Sequence, residues 1–343
     1  MRRVALVRPR VGLGDLLCSW PAWRALRAFR PDLRVTVITW PETAPLLAHM
    51  RREVDELLPF PGFPGIPERP PDPLAWPRFL RLARERRFDL AIQTYGDNPA
   101  ANEVTARLGA TARGGFRAEG WWRDEDAPTY LAYPREEHEV WRHLRCVEHL
   151  GVRLRPDADR MVFTTLPGDD EEFRRLALEH GLRPGRYVVL HPGASCASRR
   201  WPTDRFAQVG DALVERGYAV VIGGVAGERD LADAVRGAMR RPAHDLTGRT
   251  SLGGYALVLR HAALLVGNDT GPAHLAAAVG TPTVVVFLSG DPVRWAHPGP
   301  RHRVCRVAVG CNPCPHLTCP IDFRCALRLP ADAVLSEVDR LLW

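Results

Sequence analysis

The sequence predicts an α/β protein with two doubly wound domains, each built on a parallel sheet. Its 343 residues are enough for about two domains of ordinary size. Short apolar segments alternate with helical ones along both halves, which is the pattern of strands joined by right-handed crossovers. The apolar segments are continuous runs of Val, Ile and Leu, such as 188–190 and 284–286. Strands of this kind are typical of parallel sheets covered on both faces.

The first half opens with an apolar strand, a glycine turn (Gly12-Leu13-Gly14-Asp15) and a helical pattern. Its predicted elements are strands at 4–9, 34–40 and 88–96, and helices at 16–30, 45–52, 79–87 and 137–150. The stretch 59–77 is too rich in proline for regular structure, so we expect a surface excursion there. A polar linker is predicted at 153–170.

The second half repeats the alternation of strands and helices. Its predicted elements are strands at 187–193, 219–224, 263–269 and 283–287, and helices at 170–180, 204–216, 228–239 and 272–279. In open sheets of this type, ligands bind beyond the carboxyl ends of the strands. The loops after these strands are therefore the candidate binding site.

The net charge of +7 comes from arginine alone, because the sequence contains no lysine. The arginines are scattered without a run of five or more, so we expect no nucleic-acid partner and favour an anionic small substrate or a phosphorylated glycan. No apolar run approaches the ~18 residues that span a bilayer. The N-terminal apolar stretch is also too short for a signal peptide. The expectation is a soluble, cytoplasmic protein.

Five of the eight cysteines lie between residues 305 and 325. In a cytosolic chain of this length, such a cluster suggests metal or redox chemistry more than a disulfide framework. The spacing allows four thiolates to surround one tetrahedral zinc or iron ion, which would be structural because no coordination position is left open. The candidate ligands are Cys311, Cys314, Cys319 and Cys325, with His316 or Cys305 able to replace one of them. Buried thiols or a chance disulfide would explain the same cysteines.

The glycine turn after the first strand is not a dinucleotide-binding fingerprint. Asp15 follows Gly14, and the third glycine of that motif is missing. A carboxylate at the positive end of a helix would also repel a pyrophosphate. Two explanations of Asp15 remain: it caps the helix, or it is a general base that the turn holds in a cleft between the domains.

The loop at 191–202 combines small residues with a hydroxyl at Ser195 and a cation at Arg199 or Arg200. Small residues let backbone N–H groups approach a phosphate, and pyrophosphate binding uses both N–H and cationic donors. A plain surface loop with exposed arginines is the alternative. Further along, Glu228 follows a Gly-Gly turn. Its carboxylate is either a ligand for a ribose or an ordinary first-turn helix residue.

The segment 266–282 is the most informative. Asp269 ends a strand, Thr270 and Gly271 form a tight turn, and a proline suited to the first helical position follows. Free N–H groups and a helix dipole would then lie where a diphosphate binds, and Asp269 would be free to bind sugar hydroxyls. His274, in the first turn, is either part of this site or a structural histidine.

These segments resemble a known family. HPGA (191–194), RRWP (199–202), the Gly-Gly turn with Glu228, DLTGRTSL (245–252) and NDTGPAHLAAAVGTP (268–282) occur in the same order in glycosyltransferase family 9, the ADP-heptose:lipopolysaccharide heptosyltransferases and their relatives. The opening GLGDLL followed by PAWRALR is also similar to that family's first motif. The resemblance implies a GT-B fold, with two Rossmann-like domains facing a central cleft.

In domain terms, the resemblance implies an acceptor-binding domain at 1–160 and a nucleotide-sugar-binding domain at 161–330. The final helix, 331–343, is expected to cross back to the first domain. The opening helix departs from the family pattern at Cys18, Ser19 and Trp20. This departure bears on which acceptor is bound and not on the reaction that is catalysed. Some related protein heptosyltransferases carry an iron-bound four-cysteine finger, which the cysteine cluster resembles.

In residue terms, the resemblance implies that Asp15 is the catalytic base, on an acceptor-side loop that includes Gly12 and Gly14. Arg199 stands where the heptosyltransferases usually carry a diphosphate-binding lysine, and Glu228 matches the acid that contacts the nucleoside. The donor-sugar and diphosphate site would consist of Asp269, Thr270, Gly271 and His274, with Ser195 added from the loop chemistry above.

We therefore expect an inverting glycosyltransferase that moves a heptose or related sugar from ADP-heptose, or a similar nucleotide-diphosphate sugar, to an acceptor hydroxyl. Asp15 would deprotonate the acceptor, while Arg199, Ser195 and the helix N-terminus at 270–271 stabilise the leaving diphosphate. This chemistry requires no cofactor. The metal expected is therefore a structural zinc or iron ion at the cysteines.

The acceptor stays open among an envelope glycan, a protein and a small molecule, and an anionic one suits the charge. A peripheral association with the inner membrane is compatible with the first of these. Two alternative functions also stay open. One is a GT-B-fold nucleotide-sugar epimerase, which would need no acceptor, and the other is a non-catalytic relative that binds nucleotide sugars.

Overall fold

A computed structural model of the chain describes residues 2–118 and 128–343. The chain forms two compact units, Met1–Met161 and Val162–Trp343. The boundary expected from the sequence, after residue 160, lies next to this division. Within the ranges described, no helix has the length and apolar character that crossing a membrane requires.

The first unit is a parallel sheet flanked by helices. The strands among its described residues are β1 (Arg3–Val7), β2 (Arg34–Thr39), β3 (Glu56–Pro59), β4 (Leu90–Gln93), β5 (Ala112–Arg117) and β6 (Tyr130–Ala132). Its helices are α1 (Leu13–Phe29), α2 (Ala44–Ala48), α3 (Trp76–Glu85), α4 (Pro99–Arg107) and α5 (Glu139–His149). The strands pair in parallel in the order β3-β2-β1-β4-β5-β6. Four residues of β1 and all of β4 are buried, as expected for central strands with helices on both faces.

The second unit has the same construction. Its strands are β7 (Tyr187–His191), β8 (Ala219–Ile222), β9 (His244–Asp245), β10 (Leu264–Asn268), β11 (Thr283–Val286) and β12 (His302–Cys305). Its helices are α6 (Pro167–His180), α7 (Thr203–Glu215), α8 (Arg229–Ala238), α9 (Leu252–His261), α10 (Gly271–Val279), α11 (Pro292–Trp295), α12 (Arg324–Leu327) and α13 (Ala331–Leu342). The strands pair in parallel in the order β12-β11-β10-β7-β8-β9.

Both sheets are wound in the same way. In each unit the first strand lies beside the fourth, so the chain extends the sheet first to one side and then to the other. The direction of winding reverses between β1 and β4 in the first unit and between β7 and β10 in the second. The loops after these strands diverge, and the crevice between them is the usual ligand site of such a sheet. The predicted pair of doubly wound domains is confirmed.

Local sequence signals account for helix boundaries. Pro167 begins α6, where its fixed φ suits the first turn, and the Asp169 carboxylate accepts a hydrogen bond from Leu166 N–H at 2.6 Å. Helices α6 and α10 end at Gly181 and Gly280, whose φ angles are 62° and 83°. This left-handed conformation favours glycine because a Cβ is strained there.

The proline-rich stretch between β3 and α3 forms turns rather than helix or strand, as predicted. It nevertheless contributes to the core, since Phe60 and Ile66 are buried in one apolar cluster with Phe79 of α3. This excursion is therefore packed against the first sheet, and it carries Glu68 towards the crevice between β1 and β4.

The final helix, α13, packs within the second unit against α7, β11 and β12. Val334 and Val338 are fully buried in the main apolar cluster of that unit. Just before the helix, the carbonyl of Leu329 accepts a hydrogen bond from the Trp201 indole at 3.1 Å. The apolar face of α13 is therefore covered by the second sheet and α7.

Candidate functional site

Asp15 lies in the first turn of α1, at the carboxyl end of β1. Gly12 is the N-cap residue of this helix, and Gly14 is buried in its first turn. A Cβ at residue 12 would overlap Asp15 Oδ2, so the carboxylate occupies space that only glycine leaves free. The Asp15 side chain is 25% exposed. The glycine turn therefore presents an accessible carboxylate, which a general base requires.

Two guanidinium groups that were not predicted from the sequence flank this carboxylate. Arg8 Nη2 lies 3.5 Å and Arg10 Nε lies 3.7 Å from Asp15 Oδ1. Arg8 is almost completely buried. Its guanidinium donates hydrogen bonds to the Thr94 carbonyl at 2.7 Å, the Asp15 carbonyl at 3.1 Å and the Glu139 carboxylate at 3.3 Å. These bonds span the crevice between β1 and β4.

Glu139 and His143 form a buried pair four residues apart on α5, which packs along α1. Glu139 Oε1 and His143 Nε2 are 3.4 Å apart. The same imidazole nitrogen lies 3.2 Å from Ser19 Oγ, which donates a hydrogen bond to the Asp15 carbonyl at 2.8 Å. Burial lowers the pKa of His143 to about 4, so the imidazole is neutral at physiological pH.

Arg10 is anchored by the proline-rich excursion. Its guanidinium lies 4.2 Å from the centroid of the Tyr95 ring and pairs with Glu68 at 2.9 Å. The Tyr95 hydroxyl donates to Glu68 at 2.7 Å, and burial raises the pKa of Tyr95, which keeps the phenol protonated. A segment predicted only as a surface excursion is thus connected to Asp15 through Glu68 and Arg10.

In the second unit, the loop after β7 is fixed to β10 by Asn268. This side chain is fully buried. Its Nδ2 donates to the carbonyls of Pro192 and Gly193, at 2.8 and 3.3 Å, and its Oδ1 accepts from Trp201 N–H at 3.1 Å. Both ends of the loop are therefore held by one amide, a role that was not predicted from the sequence.

Within that loop, the two arginines face different groups. Arg199 Nη1 lies 3.8 Å from Asp269 Oδ2. Arg200 instead donates from Nε and Nη2 to the carbonyl of Ala194, at 3.1 and 2.9 Å. Of the two candidates, Arg199 is the cation that meets Asp269. Ser195 is exposed in the same loop.

Asp269 directly follows β10 and is 2% exposed. Burial raises the pKa of its carboxyl group to about 6, against the opposing effect of the Arg199 cation. Within the part of the chain that the structure describes, Oδ2 has no hydrogen-bond partner, although a buried acceptor left in this way is costly. The oxygen occupies the space that a Cβ on residue 290 would take, and the absence of that Cβ leaves room for it.

Helix α10 begins beside Asp269, with Thr270 as its N-cap residue and Gly271 as its first residue. Its free N–H groups and macrodipole favour an anion. His274 is buried one turn in, where its Nδ1 lies 2.9 Å from His297 Nε2 and its ring packs edge-on against Trp295. These contacts favour the interpretation of His274 as a structural histidine. Thr270 and Gly271, in contrast, lie at the crevice.

Glu228 ends a 3₁₀ turn after β8. Its Oε2 lies 3.7 Å from His191 Nε2, and His191 Nδ1 lies 3.3 Å from the Tyr255 hydroxyl. A Cβ on Gly193 would overlap the Glu228 carboxylate. Burial lowers the pKa of His191 and raises that of Tyr255, so both side chains are neutral. Glu228 Oε2 also accepts a hydrogen bond from Val225 N–H at 3.0 Å, as an ordinary first-turn residue would. The contact of Glu228 with His191 was not predicted.

All eight cysteines are free thiols. Cys325 packs against the apolar core of the second unit, and Cys319 Sγ accepts a hydrogen bond from Phe323 N–H at 3.2 Å. Across residues 2–118 and 128–343, no three His, Cys, Asp or Glu side chains are grouped so that they could hold a metal ion. The four thiols expected to surround one ion are therefore not grouped in this part of the structure. The four expected ligands were Cys311, Cys314, Cys319 and Cys325.

Comparison with known proteins places these features in context. Residues 76–323 match the model of glycosyltransferase family 9 (heptosyltransferase). Lipopolysaccharide heptosyltransferase 3 of Escherichia coli (strain K12) is 29% identical over 292 residues, which cover 82% of this chain and 81% of that protein.

Two solved structures are similar over nearly their whole length. E. coli ADP-heptose lps heptosyltransferase II has a TM-score of 0.72 at 22% identity, covering 100% of this chain and 98% of its own. A family 9 glycosyl transferase from Veillonella parvula DSM 2008 has a TM-score of 0.81 at 18% identity, covering 99% and 97%. These likenesses show the fold, which is the predicted GT-B class.

Proposed function

Since this chain belongs to glycosyltransferase family 9, and is therefore a glycosyltransferase, we propose that it transfers a heptose from ADP-heptose to a hydroxyl group of a lipopolysaccharide-type glycan. The names of similar proteins support both the acceptor and the donor. One is a lipopolysaccharide heptosyltransferase 3, and another is an ADP-heptose lps heptosyltransferase II. In this proposal the second unit binds the donor and the first unit binds the acceptor.

The observation that carries the donor assignment is the arrangement at the crevice between β7 and β10. Arg199 lies 3.8 Å from the buried Asp269, and the N-terminus of α10 begins at the next residues, Thr270 and Gly271. A guanidinium and free N–H groups suit a diphosphate. Asp269 Oδ2, which accepts no hydrogen bond within the described residues, suits a sugar hydroxyl. The exposed Ser195 adds a further donor from the same loop.

The nucleoside is assigned to the crevice side of β8. Glu228 lies there with His191 and Tyr255 behind it, and a carboxylate in this position suits the vicinal hydroxyls of a ribose. A buried His–Tyr pair behind a carboxylate restricts its rotation. Adenine as the base rests on the relatives alone.

Asp15 is assigned the role of catalytic base on the acceptor side. Its carboxylate takes the proton of the acceptor hydroxyl as that oxygen bonds to the anomeric carbon of the donor. The bond from that carbon to the diphosphate breaks, and the electron pair leaves with ADP, whose charge Arg199 and the α10 N-terminus stabilise. Attack opposite the leaving group inverts the anomeric configuration. Gly12 and Gly14 keep the turn small enough for the acceptor to approach.

The test combines binding with turnover. Calorimetry should show that ADP binds the full chain, and ADP release from ADP-heptose should depend on heptose-deficient lipopolysaccharide added as acceptor. Asp15→Asn should lower turnover by ~10²-fold or more while ADP binding changes little. The matched control is Asp32→Asn, an exposed acid beyond the other end of α1. Turnover of Asp15→Asn within a few-fold of wild type would show that Asp15 is not the catalytic base.

A further inference from the structure

Arg8 and Glu139 form an ion pair in which each side chain is 1% exposed and the closest atoms are 3.3 Å apart. Burying two charges costs more than their attraction returns unless additional hydrogen bonds satisfy both groups. Glu139 does not depend on Arg8 for its counter-charge, because Arg142 Nη1 lies 3.4 Å from its other oxygen. The presence of a second buried arginine therefore calls for another explanation.

The remaining bonds of Arg8 supply one. Its Nη1 donates to the Thr94 carbonyl, just beyond β4, and its Nη2 donates to the Asp15 carbonyl in the first turn of α1. The same Nη2 faces the Asp15 carboxylate at 3.5 Å. One planar guanidinium thus links both sides of the crevice in the first unit and contacts the backbone and the side chain of a single aspartate.

We propose that Arg8 is a positioning residue for the catalytic base: its guanidinium, oriented by Glu139, fixes the first turn of α1 and the direction of the Asp15 carboxylate. The inference rests on the proposed role of Asp15. Ser19 and His143 hold the same turn from the side of α5, since Ser19 Oγ donates to the Asp15 carbonyl and contacts His143.

Arg10 does not duplicate this role. It approaches the same carboxylate oxygen at 3.7 Å, but its other contacts are with the Glu68 carboxylate and the Tyr95 ring. Its guanidinium is 31% exposed. Arg10 therefore contributes charge near the acceptor side, whereas Arg8 determines where Asp15 lies.

The experiment measures ADP release from ADP-heptose by the full chain, with heptose-deficient lipopolysaccharide as acceptor. Arg8→Lys keeps the charge but cannot bridge three acceptors in one plane. Because small displacements of a catalytic group can cost up to ~10²-fold in rate, we expect kcat to fall at least about tenfold. The KM for ADP-heptose should stay within about twofold, because Arg8 lies outside the donor-binding unit.

The matched control is Arg142→Lys, a second buried arginine that contacts Glu139. It should lower kcat by less than about threefold. The decisive comparison is the double variant Arg8→Lys/Asp15→Asn. If Arg8 acts through Asp15, the double variant should be no slower than Asp15→Asn alone, because effects of residues that act as one unit are not additive.

Thermal melting separates positioning from folding. If Arg8→Lys does not fold, Glu139→Gln replaces it, since it leaves Arg8 in place and weakens the bond that orients it. The inference is overturned if Arg8→Lys turns over at the wild-type rate, or if its loss persists in the Asp15→Asn background. A wild-type rate for Asp15→Asn would instead overturn the proposed function, and the inference with it.

Discussion

Gly290 and Asp269 compete for one small volume, since a Cβ on Gly290 would overlap Oδ2 of Asp269. They lie in the loops after β11 and β10, which are neighbouring strands of the second sheet. The other two candidate acids show the same relationship, between Gly193 and Glu228 and between Gly12 and Asp15. Each carboxylate thus occupies the space that a side chain on the neighbouring glycine would take. The acid can lie there only because the glycine has no side chain.

Gly290→Ala should therefore displace the Asp269 carboxylate without disrupting the fold. We expect ADP release from ADP-heptose to fall by about tenfold or more, by loss of a positioned group, with little change in melting temperature. The control is Gly237→Ala in α8, where a Cβ meets nothing within 4 Å; it should raise stability by up to about 1 kcal/mol. Normal turnover of Gly290→Ala would mean that the reaction does not use the Asp269 carboxylate.

Arg199 and Arg200 form a matched pair for testing diphosphate binding. Arg199→Ala should weaken ADP binding by roughly 1.5–3 kcal/mol, the range for hydrogen bonds to charged groups, and should affect adenosine far less. Arg200→Ala should leave ADP binding nearly unchanged, because that guanidinium is engaged with the Ala194 carbonyl. Calorimetric titrations with ADP and adenosine give both values. Equal losses for the two ligands would assign Arg199 elsewhere.

Tyr255→Phe tests whether Glu228 is held for a ribose. Removing the hydroxyl 3.3 Å from His191 should weaken ADP binding by about 0.5–1.5 kcal/mol. It should not weaken binding of 2′,3′-dideoxy-ADP, which lacks the hydroxyls that Glu228 would bind. Glu228→Gln should show the same selectivity with a larger effect. If both ligands lose affinity equally, the His191–Tyr255 pair supports the fold of the loop and not the nucleoside site.

The raised pKa of Asp269 predicts a pH-dependent stability cost. The folded carboxyl titrates near 6 and the unfolded one near its ordinary 3.8. The folded state therefore binds a proton more tightly, and stability falls as pH rises through this window. Above pH 6 the charged, buried Asp269 destabilises the fold by roughly 3 kcal/mol.

Asp269→Asn should accordingly be more stable than wild type at pH 7.5. Urea denaturation should show that the difference in unfolding free energy between Asp269→Asn and wild type is smaller by roughly 2 kcal/mol at pH 4.5 than at pH 7.5. The Arg199 cation becomes unpaired in the variant, but its side chain is 32% exposed and remains solvated. A difference that is the same at both pH values would mean that the Asp269 carboxyl titrates near its ordinary value.

The fold was predictable wherever strands are continuous apolar runs. The strand predicted at 187–193 is observed at Tyr187–His191, and the final helix begins at residue 331 as predicted. The missed strand β5, ARGGFR, carries two arginines and two glycines, and its conformation is supplied by pairing with β4. Helix α9 was missed because it opens with two glycines, although Ser251 caps it by accepting a hydrogen bond from Gly254 N–H at 3.0 Å.

The candidate site was predictable only where its residues lie in the loop or the first helical turn after a strand. Asp15 and Asp269 could be located in this way, but Arg8 and Glu139 are 131 positions apart in sequence, and only the folded sheet brings them together. Asn268 was missed because a buried amide next to an informative aspartate carries no signal of its own. One signal was available on α5, where Glu139 and His143 are spaced to share one helix face.

The repeated strand order has a consequence for how specificity can change. Each unit has its own crevice, so the residues proposed to recognise the acceptor and the donor are encoded in separate stretches of chain that meet at residues 161–162. Substitutions in α1 can alter what the first crevice accepts without touching any bond among Arg199, Asn268 and Asp269. A gene fusion that joins the proposed donor unit of this chain to the first unit of a relative is thus the natural design for changing the acceptor while keeping the sugar.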